Sequence, residues 1–599
     1  MTTSSRIDEL KSALAQRLLV IDGAMGTAIQ NKDLEPDDFG GLEYEGCNEY
    51  LTVTQPDVIE EIHRSYLDAG ADIIETNTFG STQVVLAEYG LTYEARRLNR
   101  EAAAIARRAA DAASTPDKPR FVAGSMGPTT KTISVTGGIT FDELAADYHT
   151  QAAGLIEGGV DLLLLETSQD TLNVKAGLDG IDRAFAELGQ EIPVAVQGTV
   201  EPMGTLLAGQ DVEAFYTSVS HRDLLWIGLN CATGPTFMTD HIRSLAALSR
   251  FPVACVPNAG MPDEDGNYNE TPEAMAETVG RFVESGWVNL IGGCCGTVPR
   301  HIELLVETAS DKPVRPGIDS PETRVSGIET LLVDDEVRPA IVGERTNVLG
   351  SRRFRHLIKE GSFEEAAEIG RRQVRNGAHI LDVCLQDPDR DEAADVAQFL
   401  DLVTKKVKAP IMIDSTDSAV IELALKRLQG KSIINSINLE DGEERFQTVV
   451  PLARRYGAAL VVGCIDDDKE QAQAITKERK LEVAIRSAKI LTEKYRVPIE
   501  DIIFDPLVFP VGTGDENYVG SGAETVEGVR LIKEALPGAK TVLGISNVSF
   551  GLPAAGREVL NSVFLYHCVQ AGLDMAIVNS EGMERYASIP EEERKLAED

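Results

Sequence analysis

Short apolar runs that end in small or polar residues recur through the first half of the chain. They fall at 19–26, 71–78, 121–127, 160–167, 194–199, 225–231, 253–258 and 288–294. Helix-period segments separate them, among them 56–69, 93–113 and 141–158, and an amphipathic helix over 8–19 leads in. Continuous apolar strands alternating with helices predict an all-parallel sheet covered on its outer face, and eight such units close as a (β/α)8 barrel. The stretch 311–324 carries three prolines and no apolar period, so it reads as a semi-rigid connector. The eightfold pattern then starts again, at 340–347, 379–383, 411–415, 432–438, 459–463, 502–506, 541–547 and 575–579, with a helix over 477–495. The expected fold is α/β: two consecutive (β/α)8 TIM-type barrels, over 1–310 and 337–599, joined by a linker over 311–336.

Composition narrows the setting. The 599 residues suffice for two barrels of about 250 residues each. A formal charge of −39 argues against non-specific nucleic-acid binding, which needs a basic surface. The N-terminus has no apolar signal core, and no run approaches the length of a membrane span. Eight cysteines without short regular spacing do not make a disulfide framework. These features predict a cytoplasmic protein with reduced thiols. Gly430-Lys431-Ser432 lacks the upstream glycine of a phosphate loop and precedes a strand. The glycine-rich segment 512–522 is acidic and reads as a mobile loop over the second barrel's mouth, and the basic run 352–355 reads as solvated surface, with contact to a ligand's anionic tail as the alternative.

The chemistry of a parallel barrel sits where its strands end. In the first half those ends carry Asp22, Glu75, Asn77, Ser125, Glu166, Gln197, Asn230 and Asn258. Cys294 and Cys295 follow the last strand on a turn that contains Gly292, Gly293 and Gly296. Two adjacent cysteines are either buried small hydrophobes or a pair of thiolates facing one soft metal ion. Cys231 ends the sixth strand, next-but-one on the same rim, so three sulfurs can converge. Three thiolates suit zinc and leave a fourth position for substrate, with Asn258 or water as the resting ligand. Cys255 within the seventh strand and Cys47 in a loop read as structural. The second rim offers Glu344, Asn347, Asp382, Asp414, Asn435, Asp505 and Asn547 and no histidine cluster. Such a set suits a flat heterocycle rich in N–H donors and carbonyls.

Asp22-Gly23-Ala24-Met25-Gly26-Thr27, Glu75-Thr76-Asn77-Thr78-Phe79, Gly228-Leu229-Asn230-Cys231 and Gly292-Gly293-Cys294-Cys295-Gly296 resemble the homocysteine methyltransferase barrel. The nearest likeness is to the N-terminal module of the cobalamin-dependent methionine synthases. Gly343-Glu344-Arg345-Thr346-Asn347, Leu381-Asp382-Val383, Ile413-Asp414-Ser415, Asn435-Ser436-Ile437-Asn438, Phe504-Asp505-Pro506 and Gly544-Ile545-Ser546-Asn547-Val548-Ser549-Phe550 resemble the pterin-binding barrels of dihydropteroate synthases and methyltetrahydrofolate methyltransferases. The first resemblance implies zinc on Cys231, Cys294 and Cys295 with the homocysteine thiolate as fourth ligand. It also implies Asp22 and Glu166 against the substrate ammonium, and Gly23 and Ser125 in the homocysteine site. The second implies a pterin held by Asp414, Asn435, Asp505 and Asn547, with Glu344, Asn347 and Asp382 in the same site and Asn547 at N5. Together they imply methyl transfer from 5-methyltetrahydrofolate through cob(I)alamin and methylcobalamin to zinc-activated homocysteine, giving methionine and tetrahydrofolate. No Asp-x-His-x-x-Gly cobalamin signature occurs, so cobalamin is expected on a module or subunit outside this chain. The stretch 588–599 starts like a capped helix and ends with no C-cap glycine, as if further modules followed. The rivals are a corrinoid-free homocysteine S-methyltransferase fused to a pterin-binding barrel, and a non-catalytic zinc- and folate-binding protein.

Overall fold

A computed structural model describes residues 3–318 and 321–599, so positions 319 and 320 of the expected linker lie outside it. The chain divides into two units, Met1–Ser320 and Pro321–Asp599. Each is an eight-stranded parallel barrel, in agreement with the two series of apolar runs.

In the first unit the strands are β1 (Leu19–Val20), β2 (Ile73–Glu75), β3 (Phe121–Met126), β4 (Leu162–Ser168), β5 (Val194–Gly198), β6 (Ile227–Asn230), β7 (Val253–Val256) and β8 (Leu290–Ile291). Each pairs in parallel with its neighbours, and β1 returns to β8. The remaining seam, between β1 and β2, is narrow. It consists of the bridge Ile21–Ile73, with Asp22 N–H donating to Ile73 O (3.0 Å) and Asp72 N–H to Val20 O (2.7 Å). Alternation sends Phe121, Ala123, Leu162, Leu164, Ala195, Trp226 and Ala254 inward as one apolar cluster, which Leu10 and Leu14 of the helix Thr3–Gln16 join. That helix lies across the N-terminal strand ends: Arg6 pairs with Asp161 just before β4, and Arg17 with Asp72 just before β2. The helix was expected over 8–19; it stops at Gln16 because Arg17 turns to Asp72 and Leu19 already belongs to β1. The floor is thereby closed, and the interior opens at the C-terminal rim.

The second unit begins with an antiparallel hairpin, β9 (Arg324–Ser326) and β10 (Thr330–Leu332). Its barrel follows as β11 (Ala340–Asn347), β12 (Ile380–Cys384), β13 (Ile411–Asp414), β14 (Ser432–Ile437), β15 (Ala458–Gly463), β16 (Ile502–Asp505), β17 (Lys540–Gly544) and β18 (Met575–Val578), closed through β11–β18. The hairpin occupies part of the stretch expected as linker. Val325 and Val333 enter the barrel's inner cluster beside Met412, Ile433 and Ile503, so the hairpin plugs this floor as the leading helix plugs the other. Ser326 N–H donates to Lys431 O (3.0 Å), and Lys431 N–H to Ser326 Oγ (2.9 Å). Lys431 pairs with Asp501 at the same end, far from any phosphate-loop role. The helix expected over 477–495 runs Lys477–Lys489 and widens into a π-turn, Ile490–Lys494.

A Cβ on Gly430 would lie 1.8 Å from Ser326 O, a backbone atom of the plug. Gly430→Ala must therefore displace the hairpin and is expected to lower stability by about 2 kcal/mol or more. Chemical denaturation of the full chain checks this; an unchanged midpoint for the second unit's transition would contradict the plug.

Candidate active sites at the two barrel mouths

Cys231, Cys294 and Cys295 meet at the first mouth. Their sulfurs all lie within 4.8 Å of one another, and Cys231 Sγ is 3.7 Å from Cys295 Sγ. The approach is built by the backbone at the end of β7 and just beyond it, which bonds to both arms. Cys231 N–H donates to Val256 O (3.2 Å), Cys294 N–H to Pro257 O (2.8 Å), and Ala259 N–H to Cys295 O (2.9 Å). Glycine is required in this turn: a Cβ on Gly292 would lie 2.2 Å from Ile21 Cγ2, and Gly296 takes φ +79° with Tyr268 packed on it. Cys231 and Ala232 sit at φ +60° and +55°, a region that costs non-glycine residues about 1–3 kcal/mol each and is held only where the surroundings demand it.

The cluster fits a zinc ion. Tetrahedral coordination with Zn–S of about 2.3 Å separates sulfurs by about 3.8 Å, close to the Cys231–Cys295 distance. Left to themselves, the three thiols concentrate their negative charge on one sulfur. Hydrogen bonds from Cys231 and Cys294 hold the Cys295 thiol well below the usual thiol range, while bonding to Cys231 and Cys295 pushes Cys294 up. A dication would allow all three to ionise. Asn258 Oδ1 is buried without a hydrogen-bond partner beside this cluster's backbone, consistent with an acceptor kept for a ligand.

Three carboxylates line the same mouth. Asp22 Oδ2 accepts from Glu75 N–H (3.0 Å), while Asp22 Oδ1 is buried and unpartnered. Ser125 Oγ donates to Glu166 Oε1, and Asn230 Nδ2 reaches Glu166 Oε2 (3.3 Å), Thr167 Oγ1 (2.7 Å) and, more distantly, Cys294 Sγ (4.0 Å). Burial pushes all three carboxyls up, Glu166 to about 7, and at Asp22 and Glu75 the neighbouring carboxylates add to it. The group is built for a cation. Gly23 lies against Tyr66 and Thr297, where a Cβ would come within 2.7 Å of the tyrosine ring. The sequence assigned no role to Glu75 within Glu75–Phe79, and Tyr268, hydrogen-bonded to Cys295, carried no signal in it.

The second mouth gathers the other predicted residues. Asn347 Nδ2 bridges Asp382 Oδ2 (2.8 Å) and Asp414 Oδ2 (3.2 Å), and its Oδ1 accepts from Leu349 and Gly350 N–H (2.8 and 3.1 Å). Asp382 Oδ1 is buried without a partner. Asn435 pairs in register with Asp414 across β13 and β14. Asp505 accepts from Leu507 N–H (2.8 Å), and Leu507 takes φ +69°. Asn547 lies in the short helix Ile545–Ser549 after β17, where the neighbouring Ser546 hydroxyl donates to both oxygens of Glu344 (3.1 and 3.0 Å). Burial raises Asp414 and Asp505 to about 6 and Asp382 further, the last also through Asp414. Lys480, fully buried, donates to Ala474 O (2.9 Å), Pro506 O and Leu507 O (3.3 Å), and so fixes the turn that carries Asp505. Ser546 and Lys480 were not anticipated; a lysine within the charged stretch Lys477–Lys489 looks like any surface residue.

Residues 19–309 match the homocysteine S-methyltransferase family and residues 343–579 the pterin-binding enzymes, so the chain carries one domain of each family. Over 600 residues it is 42% identical to a protein named methionine synthase from Mycobacterium tuberculosis (strain ATCC 25618 / H37Rv). The match covers 99% of this chain and 50% of that protein, so the chain spans about half the length of this curated relative. The metallated homocysteine methyltransferase MmuM of Escherichia coli is similar at 23% identity, with a TM-score of 0.41 over 48% of this chain and 96% of that one. Xanthomonas albilineans dihydropteroate synthase with 4-aminobenzoic acid is similar at 16% identity, with a TM-score of 0.32 over 43% of this chain and 93% of that one.

Carboxyls raised to about 6 bind protons more tightly folded than unfolded. The stability they contribute is present below about pH 4 and is lost as pH rises through about 6. Asp505→Asn keeps an acceptor for Leu507 and removes that loss. The variant is expected to melt above wild type at pH 7.5, with the difference closing toward pH 5; a lower melting point at pH 7.5 would contradict the assignment.

Proposed function

We propose that the first barrel binds homocysteine on a zinc centre and the second binds 5-methyltetrahydrofolate. The chain thereby serves methyl transfer from the folate to homocysteine, through cobalamin carried by a module or subunit outside it. The observation that carries the reading is the convergence of Cys231, Cys294 and Cys295, with Asn230 linking Cys294 to the Glu166 carboxylate. A free thiol titrates near 8.5, so zinc held by the three cysteines would supply a substrate thiolate at neutral pH. Asn258 Oδ1 is the resting ligand in this reading. Asp22, Glu166 and Glu75 take the substrate ammonium, which satisfies the unpartnered Asp22 Oδ1 and relieves the repulsion among the three. Ser125 and Asn230 hold Glu166 in position, and the bare backbone at Gly23 leaves room for the amino acid.

In the second barrel Asp382, Asp414 and Asp505 accept N–H bonds from the pterin, and Asn435 both donates and accepts. Glu344 and Asn347 support them. Asn547 is the candidate at N5, where the methyl group leaves; an amine is a poor leaving group, so a proton must reach N5 as the bond breaks. Exposed apolar residues rim both mouths: Phe79, Met203, Phe237 and Met261 on the first, Leu349, Val519 and Phe550 on the second. Apolar rims suit docking of a broad macrocycle face, which supports the cobalamin-carrying partner. A cytoplasmic setting belongs to the same reading. All eight cysteines are free, and among the described residues no helix is long and apolar enough to cross a membrane.

The full chain is expected to bind one zinc. Cys231→Ala, Cys294→Ala and Cys295→Ala should each lower zinc affinity at least about tenfold and abolish homocysteine methylation, with methyl transfer from the folate to supplied cob(I)alamin kept within about twofold. Zinc analysis with both half-reaction assays decides it; full zinc occupancy in all three variants would sink the assignment. Folate affinity should fall as pH drops through about 6, as Asp414 and Asp505 take up protons and cease to accept. Calorimetric titration between pH 5 and 8 should give a shallower dependence for Asp505→Asn than for wild type, and equal slopes would exclude Asp505 as a pterin acceptor.

A further inference from the structure

Gln197 lies in β5, fully buried, with neither amide atom hydrogen-bonded among the described residues. Its direction follows from the strand. Ala195 packs in the barrel's inner cluster, and a Cβ on Gly198 would meet the ring of Phe215, on the outer helix Val212–Val219, at 3.0 Å. Gln197 therefore points inward. Register sets it opposite Gly228 of β6; on its other side Leu165 of β4 pairs with Val196 and Ser168 with Gly198 across a register shift, so Gln197 stands at the level of Glu166 and Thr167 in the neighbouring strand. Asn230, two residues beyond Gly228, joins this layer to Cys294.

A buried amide without partners destabilises a barrel that methionine or leucine would fill without penalty. Such an amide needs a ligand or a trapped water, and Trp226 Nε1, also buried and unpartnered just before β6, makes a trapped water the simpler occupant. Charge separates the two. Asp22, Glu75 and Glu166 are acceptors suited to an ammonium, and they repel the carboxylate that an α-amino acid carries on the same carbon. Gln197 Nε2 is a neutral donor, free in this layer, that can receive that carboxylate. We propose that Gln197 is a specificity-determining residue of the first barrel, its Nε2 donating to the α-carboxylate of the thiol amino acid. The proposal rests on the homocysteine reading of this site.

The test uses the zinc-loaded full chain and calorimetric titration with two thiols: homocysteine, and 3-aminopropane-1-thiol, which lacks only the carboxylate. Gln197→Met should weaken homocysteine at least about tenfold and leave the amine within about twofold of wild type. Gln197→Glu preserves the shape and replaces the donor with a charge; it should weaken homocysteine further and leave the amine unchanged or tighter. Unaltered homocysteine affinity in Gln197→Met, with a raised melting temperature, would overturn the proposal in favour of an orphaned or water-bound amide. Equal loss of both thiols in both variants would overturn it as a packing effect. Failure of wild type to bind homocysteine would refute the underlying reading of the site, and with it this role.

Discussion

The seam between β1 and β2 in the first barrel is the constraint on which its mouth depends. Two backbone hydrogen bonds close it, from Asp22 to Ile73 and from Asp72 to Val20. The residues that close it are also residues of the site. Asp22 holds its main chain in the seam and its carboxylate under Glu75 N–H, and Gly293 N–H donates to Asp22 O from the cysteine turn. Closure thus fixes the first carboxylate and the last two cysteines together. With Leu10 and Leu14 sealing the floor, ligand can enter only at the rim where those groups stand.

Both mouths are locally unfavourable to the fold that carries them. Buried carboxyls are pushed up at Asp22, Glu75 and Glu166 in one unit and at Asp382, Asp414 and Asp505 in the other. Thr167, Cys231 and Ala232 on the first rim and Leu507 on the second hold positive φ without being glycine. Groups that cost stability without a ligand and gain partners with one are the usual mark of a binding site. The inner clusters below the mouths are apolar, built of alanine, valine, leucine, isoleucine and methionine with Phe121 and Trp226, and hold no carboxyl.

The fold was legible because parallel strands buried on both faces read as unbroken apolar runs, and because those runs came twice in eights. The hairpin Arg324–Leu332 was not, since two strands of three residues just after a proline-rich stretch have no period to detect. Cys231, Cys294 and Cys295 could be singled out because cysteine is rare and strand-end register brings alternate strands to one rim. Residues that act by supporting others stayed hidden. Lys480 reads as one more charge on a charged helix until its amine is found under Pro506 and Leu507. Ser546 sat beside the asparagine that drew attention, and only the structure aims it at Glu344. Gln197 was visible as a polar strand end, but its lack of partners is a three-dimensional fact.

The central claim is that one chain holds two substrate sites whose chemistry is joined only through an external corrinoid. Methyl-labelled 5-methyltetrahydrofolate, homocysteine and the zinc-loaded chain, assayed with and without supplied cob(I)alamin, test it most directly. The account predicts label on the corrinoid first and in methionine afterwards, and no labelled methionine without corrinoid. Labelled methionine formed in its absence, or no transfer to the corrinoid when it is supplied, would contradict it.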